Sequence, residues 1–260
     1  MSRQASRRLS FDLDGTLVTN AFTSHVMPDI AARLGMADRP DEVRSALMAR
    51  HERMLADGRT VAAYDWQTHV DDLAEEVGGR PGTVDVAELA ARHNTADRVT
   101  VIHPGTGEIL TALRADGWRI AVITNGFRVF QEPVLAVSGL REVVDEVVTT
   151  DDVGHAKPHR AIFGAVFAGA GPDVHVGDRI EHDVMGACDA GARSVLLRGD
   201  APVEGRTADL DAEQRTALVR FCAERLRAER STAADQDDPP LPDITVHRIR
   251  DLPAALERLG

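Results

Sequence analysis

Short β-branched runs alternating with helical patterns constrain this chain more than any other feature, because strand, helix and strand in succession resolve into a parallel sheet covered by helices. The runs fall at residues 9–11, 119–124, 143–148, 174–177, 194–197 and 244–246, and the last five each follow a helical or loop segment. The expected fold class is α/β, a parallel sheet with helices on both faces. Between residues 20 and 99 the rhythm breaks. That stretch holds no convincing strand, and Trp66, Val70, Leu73 and Val77 recur at helical spacing. Pro28, Pro40, Pro81 and Gly58, Gly78, Gly79 and Gly82 punctuate it. The expected organisation is an α/β core of residues 1–18 and 100–260, with a small all-helical cap of residues 19–99 inserted after the first strand. Near the carboxyl end, residues 211–230 read as a solvated helix carrying Leu218, Phe221, Cys222 and Leu226. Residues 231–242 read as a mobile loop within a wider insertion at 201–242. The run at 244–246 and a helix through Leu252, Leu256 and Leu259 then close the core.

Charge narrows the partners. A formal net charge of −12 opposes nucleic acid polymers and anionic membrane, so the expected ligand is small. Residues 1–8 are basic, but no apolar run follows as in a signal peptide, and no stretch approaches spanning length, so the expected compartment is the cytoplasm. Cys188 and Cys222 are too few for a disulfide framework and wrongly spaced for a zinc knuckle.

The chemistry concentrates where runs end. Asp12-Leu13-Asp14-Gly15-Thr16 closes the first run with two acids separated by one residue. A strand entering such a turn presents its last side chains in the crevice beyond its carboxyl end, where open α/β sheets bind ligands. Gly15 lets the chain fold back and bring Asp14 beside Asp12. An acidic turn closing a strand is the plainer alternative. Thr124-Asn125-Gly126 ends another run with a hydroxyl, an amide and backbone N–H groups, which suit a phosphoryl oxygen or simply an Asn-Gly turn. Lys157-Pro158 is expected to open the helix of Ile162, Phe163, Val166 and Phe167. A lysine there costs about 0.3–1 kcal/mol against the helix dipole unless an anion lies nearby. Gly177-Asp178 ends the run at 174–176, and Asp183 precedes a helix that Gly191 terminates. Asp183 reads both as that helix's N-cap and as a site residue.

Charge also joins these pieces. Asp12, Asp14, Asp178 and Asp183 would gather up to four negative charges at one sheet edge, which is costly without a cation. Hard oxygen donors of this kind suit Mg²⁺. With the ion and Lys157, the cluster accepts a phosphate dianion that it would otherwise repel.

In their order, Asp-x-Asp-Gly-Thr, Thr-Asn-Gly, Lys-Pro and Gly-Asp-x-x-x-x-Asp resemble the haloacid dehalogenase-like (HAD) hydrolase superfamily. The surrounding Asp183-Val184-Met185-Gly186-Ala187 and Ala190-Gly191-Ala192 are similar to its phosphatase branch with a helical, C1-type cap. The resemblance implies a Rossmann-like, HAD-like core. It implies that Asp12 attacks phosphorus to form an aspartyl phosphate, and that Asp14 protonates the leaving oxygen and then deprotonates the attacking water. Thr124 and the Asn125 backbone would hold the phosphoryl group, with Lys157 balancing its developing charge. Mg²⁺ would take Asp12, the Asp14 backbone carbonyl, Asp178 and waters, with Asp183 ordering that set. Dehalogenases of the superfamily usually lack an aspartate at the position of Asp14, and phosphonate-cleaving relatives use a cap lysine, whereas residues 20–99 contain none.

The expected function is a Mg²⁺-dependent phosphomonoester hydrolase of a small soluble phosphorylated metabolite, whether a sugar phosphate, a phosphoglycolate-like acid or a nucleotide. A phosphomutase, and a non-catalytic binding or regulatory protein with this fold, are the alternatives. Arg50, His51, Arg53, Tyr64, Trp66 and His69 are the cap side chains able to meet the leaving group, with Trp66 read first as core. His25 and residues 18–20 lie near the expected hinge.

Overall fold

The computed structural model describes residues 7–167, 173–229 and 239–259. Its strands are β1 (Arg7–Phe11), β2 (Val18–Thr19), β3 (Thr100–Val101), β4 (Trp118–Thr124), β5 (Glu146–Thr149), β6 (Asp173–Gly177), β7 (Arg193–Leu197), β8 (Gly205–Arg206) and β9 (Ile244–Val246). Seven of them form one sheet in the order β5-β4-β1-β6-β7-β9-β8. Every pairing in it is parallel except β8 with β9. Leu9, Phe11, Ile120, Val122, Val174 and Val176 bury one face of the central strands, while Ala121, Ile123, Ile162 and Phe163 bury the other. The chain builds outward from β1 to β4 and β5, then crosses to β6 and β7 on the opposite side. That reversal opens a crevice beyond the strand ends. Phe11 is in register with both Val122 and Val176, so the residues after β1, β4 and β6 emerge at one edge.

Between β2 and β3, which pair antiparallel, lie the helices Met27–Arg33, Pro40–Ala56, Thr60–Ala63, Trp66–Glu76 and Val86–His93. Local chemistry sets their starts. Pro40 occupies a first-turn position, Asp65 accepts from Thr68 N at 3.1 Å, and Asp85 accepts from Glu88 N at 2.9 Å. Val26, Ile30, Val43, Leu47, Val70, Leu73, Val86 and Leu89 make a second apolar cluster, which Phe130 joins from the sheet side. Val77, expected on the apolar stripe, is exposed because the Trp66–Glu76 helix ends before it.

Four expectations need correction. The run at 143–148 yields a strand only from Glu146, because Leu140–Glu142 winds as a 3₁₀ turn and Asp145 N is drawn to Ile120 O at 2.8 Å. Lys157-Pro158 does not open a helix. The helix is Arg160–Gly164, His159 caps it by accepting from Ala161 N, and Val166 and Phe167 follow its end. Asp183 precedes the helix Gly186–Asp189 that ends before Gly191, as expected, but does not cap it. It sits inside the π-helical turn Ile180–Met185 that runs into Gly186–Asp189, and its side chain accepts from Arg179 N at 3.0 Å. Finally, the insertion expected at 201–242 holds the expected helix, at Ala212–Glu229, but that helix buries Leu218, Cys222 and Leu226 against Ile180 and Val184, and the insertion also contributes the edge strand β8. Residues 230–238, which include most of the expected mobile loop, lie outside the described residues. Among the described residues, no helix is long and apolar enough to cross a membrane.

Candidate active site

Asp12 extends β1 by one residue, its N–H donating to Val176 O at 2.9 Å, so the carboxylate leaves the sheet at the crevice. The chain then turns sharply, with the amides of Leu17 and Val18 both donating to Leu13 O and Gly15 at φ +93°. A side chain at Gly15 would be strained there, and its Cβ would stand 3.2 Å from Asp178 Oδ2. The turn carries Thr16 inward. Its hydroxyl lies 3.0 Å from Asp12 Oδ2 and 3.2 Å from Asp178 Oδ1, linking the ends of β1 and β6.

Lys157 is the only lysine in the chain. Its Nζ donates to Asp12 Oδ1 at 2.6 Å and to Asp183 Oδ1 at 2.8 Å, with its side chain almost wholly buried. No helix dipole is involved in that placement. Asn125 fixes the lysine's backbone instead: its Oδ1 accepts from Lys157 N at 2.6 Å and its Nδ2 donates to Lys157 O at 3.1 Å. The same Nδ2 lies 2.9 Å from the Tyr64 hydroxyl, which ties the helical segment to the sheet edge. Thr124, also buried, accepts weakly from Gly126 N at 3.4 Å. Behind the lysine, Asp183 Oδ1 accepts from His175 Nε2 at 3.0 Å, and His175 Nδ1 meets Ser10 Oγ at 2.8 Å. A Cβ on Gly177 would fall 2.1 Å from Asp183 Cγ, so that glycine is required by close approach.

Asp14 stands apart from this cluster. Its Oδ2 accepts from Gln131 Nε2 at 2.9 Å and its Oδ1 from Asn20 Nδ2. Burial, then the neighbouring Asp12 charge, pushes its carboxyl up to about 6, against the two amide donors. Burial and the charges of Asp12 and Asp183 likewise raise Asp178 to about 7, although Arg198 Nη1 lies 3.6 Å from its Oδ2. Burial raises Asp12 too, with Lys157 opposing. Burial also works against charge on Lys157 and Asp183, but their mutual attraction, with Asp12 and His175 beside them, outweighs it and keeps both ionised. The site is therefore short of positive charge. One oxygen from each of Asp12, Asp178 and Asp183 lies within 4.8 Å of the others, and three hard carboxylates fit a divalent cation such as Mg²⁺. The Asp14 carboxylate belongs to no such group among the described residues.

A cavity of about 330 Å³ opens over these groups. Of the six side chains named for the leaving group, His51, Tyr64 and Trp66 line it, and so do residues 18–20. Arg50, Arg53, His69 and His25 do not. Arg50 is buried and paired with Glu76, and His69 bonds to Ala63 O at 3.0 Å. Trp66, read first as core, packs against Phe22 at a centroid distance of 5.1 Å and also faces the cavity. Sequence reasoning quoted Thr16 and Asn20 without giving them these contacts, and missed Gln131, His175 and Arg179. For Gln131 the one available signal is its place a turn into the helix Arg128–Val137, directly after Thr124-Asn125-Gly126.

Comparison with known proteins bears on the family and the fold. Residues 7–191 match the family described as "Hydrolase: haloacid dehalogenase-like hydrolase". The chain is 30% identical over 141 residues to a glyceraldehyde 3-phosphate phosphatase of Methanothermobacter thermautotrophicus, covering 52% of this chain. It is 35% identical over 132 residues to a pyrimidine 5′-nucleotidase of Escherichia coli, covering 49% of this chain. These matches span 62% and 56% of those relatives' own lengths. A phosphoglycolate phosphatase of Cereibacter sphaeroides is 31% identical over 194 residues, covering 72% of this chain and 83% of that protein. Among solved structures, an HAD phosphatase from Thermococcus onnurineus shares the fold with a TM-score of 0.64 at 22% identity, over 96% of this chain and 97% of that one. By the extent of the family match and of the longest of these alignments, the chain belongs to the haloacid dehalogenase-like hydrolase family.

Proposed function

We propose that the protein is a Mg²⁺-dependent phosphomonoester hydrolase acting through an aspartyl phosphate on Asp12. One observation carries the reading: two carboxyl groups at the end of β1 have different partners, Asp12 against Lys157 and Asp14 between two amides with its carboxyl raised to about 6. Burial raises both, but only Asp12 has a cation beside it to favour its anionic form, which suits Asp12 as nucleophile and Asp14 as acid. The phosphatase names of the relatives point the same way.

In this mechanism an Asp12 oxygen forms a bond to phosphorus while the bond from phosphorus to the leaving oxygen breaks. Protonated Asp14 gives its proton to that oxygen, so the leaving group departs as a neutral alcohol. Asp14 then takes a proton from water, the water oxygen bonds to phosphorus, and the link to Asp12 breaks to release phosphate. Thr124 and the Asn125 backbone hold the phosphoryl oxygens, and Lys157 offsets their growing charge. Asp12, Asp178 and the Asp14 carbonyl would hold Mg²⁺, with Asp183 ordering them; the ion, when bound, supplies electrostatic stabilisation of the phosphoryl oxygens. Residues 19–99 act as a cap that closes over the leaving group and excludes water. The substrate is a small phosphorylated metabolite of the cytoplasm.

The test is phosphate release from p-nitrophenyl phosphate with Mg²⁺ and with chelator, in wild type and in Asp12→Asn. Release is expected only in wild type with the metal. Equal turnover by a folded Asp12→Asn protein would reject the covalent route.

A further inference from the structure

The cavity wall away from the carboxylates has a chemistry of its own. The chain is poor in aromatic residues, with seven Phe, two Trp and one Tyr in 260 residues. The only Tyr, one of the two Trp and two of the Phe line this one cavity, as Tyr64, Trp66, Phe22 and Phe130. They form a continuous wall. Phe22 lies 5.1 Å from Trp66 and 6.0 Å from Phe130 between ring centroids, and His51 stacks on Trp66 at 5.3 Å with 21° between planes. The helical segment supplies Phe22, Tyr64 and Trp66, while Phe130 comes from the helix Arg128–Val137 on the sheet side.

The same wall is short of free cations. Besides Lys157, whose ammonium is held by Asp12 and Asp183, the only arginine lining the cavity among the described residues is Arg179. Its guanidinium is turned to Glu229, donating to the main-chain oxygen at 3.2 Å and standing 3.9 Å from the carboxylate. Burial lowers the pKa of His51, so its imidazole supplies no charge at neutral pH. His51 Nδ1 donates to Ala63 O at 2.7 Å, which leaves Nε2 of the neutral ring as an acceptor. An acceptor repels a carboxylate and receives an N–H or O–H. Apart from the hydroxyls and amides of Thr19, Thr23, Asn20 and Asn94, a leaving group ending in a carboxylate would thus meet aromatic faces and a lone pair, and among the described residues no unpaired positive charge. The cavity volume, about 330 Å³, lies within the range that encloses a ring-bearing ligand.

We propose that the leaving group is an uncharged alcohol carrying a flat ring, of the nucleoside class, which stacks on the wall of Phe22 and Trp66 while its phosphate lies over Asp12. Trp66, Phe22 and His51 are then the residues that set specificity. Aromatic faces hold planar rings by stacking and by excluding water, and give small anions nothing in exchange for their hydration. The inference depends on the phosphatase reading for the fate of the phosphoryl group, but not for binding.

Two measurements on the Mg²⁺-loaded protein separate the claims. In the first, kcat/KM is compared for nucleoside 5′-monophosphates, phosphoglycolate and p-nitrophenyl phosphate. Nucleotides are expected to exceed phosphoglycolate by about tenfold or more, and that ratio should fall by about tenfold in Trp66→Ala, as loss of one stacking face implies. In the second, Trp118→Phe leaves Trp66 as the sole tryptophan, and a nucleoside monophosphate is expected to quench its fluorescence saturably, whereas phosphoglycolate does not. Trp66→Phe, which keeps Trp118, should show no such quenching. Quenching without turnover of any ester would support the stacking site and reject the hydrolase. Rapid hydrolysis of phosphoglycolate, with nucleotides slower and no quenching, would overturn the stacking site and leave the hydrolase standing. Neither binding nor turnover would overturn both.

Discussion

Replacing Lys157 by methionine is the perturbation whose size the structure best defines. The ammonium touches Asp12 at 2.6 Å and Asp183 at 2.8 Å, and none of the three side chains is more than 10% exposed. Methionine fills similar space but leaves two buried carboxylates facing each other without a cation. Removing one partner of a buried ion pair costs about 3–5 kcal/mol. At about 2–4 °C per kcal/mol for a chain near this size, unfolding should shift down by about 10 °C. The loss also carries a pH sign. Without the lysine, both acids have folded pKa values above their unfolded ones, so the native state binds more protons and stability falls as pH rises. The deficit should be larger near pH 8 than near pH 5, where the acids can take up protons, by about 1–2 kcal/mol. Millimolar Mg²⁺ should recover part of it, because the divalent ion replaces the missing charge among the same oxygens. Thermal unfolding followed by circular dichroism, at both pH values and with and without the metal, reads all three effects. A shift equivalent to less than about 1 kcal/mol near pH 8 without metal would refute the electrostatic account, since that is what exposed pairs contribute.

Other perturbations follow from the same geometry. In the metal-free wild type, burial and neighbouring carboxylates raise Asp178 to about 7, so its ionisation costs stability as pH climbs from the ordinary carboxylate range through that value. Mg²⁺ should therefore raise the melting temperature more near pH 8 than near pH 5, and an equal rise at both would contradict the proposed metal set. For an alkyl phosphate, kcat/KM should decline above about 6 as Asp14 loses its proton, while an aryl phosphate with a better leaving group should show a shallower decline. Gln131→Leu removes one of the two donors that orient Asp14, and should lower kcat by about tenfold more for alkyl than for aryl phosphates; equal losses would make Gln131 merely structural. Gly177→Ala puts a methyl group 2.1 Å from Asp183 Cγ. It should weaken Mg²⁺ binding, measured by calorimetry, and cost about 1–3 kcal/mol of stability as overpacking does.

The sequence disclosed the sheet edge better than its surroundings, for a physical reason. Asp12, Thr124 and Asp178 sit at or just past the last residue of apolar strands, and parallel strands in register bring such residues together whatever helices lie between. Lys157 follows the short helix Thr150–Val153 and Asp183 lies in the turn after β6, and spacing alone misassigned their local structure. Lys157 is held by Asn125 and two carboxylates outside any helix, and Asp183 lies within a π-helical turn. The supporting residues left no periodic trace. Gln131 reaches Asp14 across 117 positions and Tyr64 reaches Asn125 across 61, so only the packed fold reveals them. A signal was present for the lysine: among 30 basic residues it is the only one that is not arginine, and a compact ammonium between two carboxylates is what a guanidinium fork would not fit. The two-residue strand β8 and the late start of β5 are set by pairing with neighbours, β8 with β9 and β5 with β4, which no local pattern encodes.

The central claim is that Asp12 becomes covalently phosphorylated during turnover. Acid quenching of the Mg²⁺-loaded protein during hydrolysis of a phosphomonoester, followed by peptide mass spectrometry, tests it most directly. The account predicts a single added phosphoryl group on the peptide containing Asp12, absent from Asp12→Asn and enriched when Asp14→Asn slows its hydrolysis. Steady turnover with every peptide unmodified, or a phosphoryl group on another residue, would contradict it.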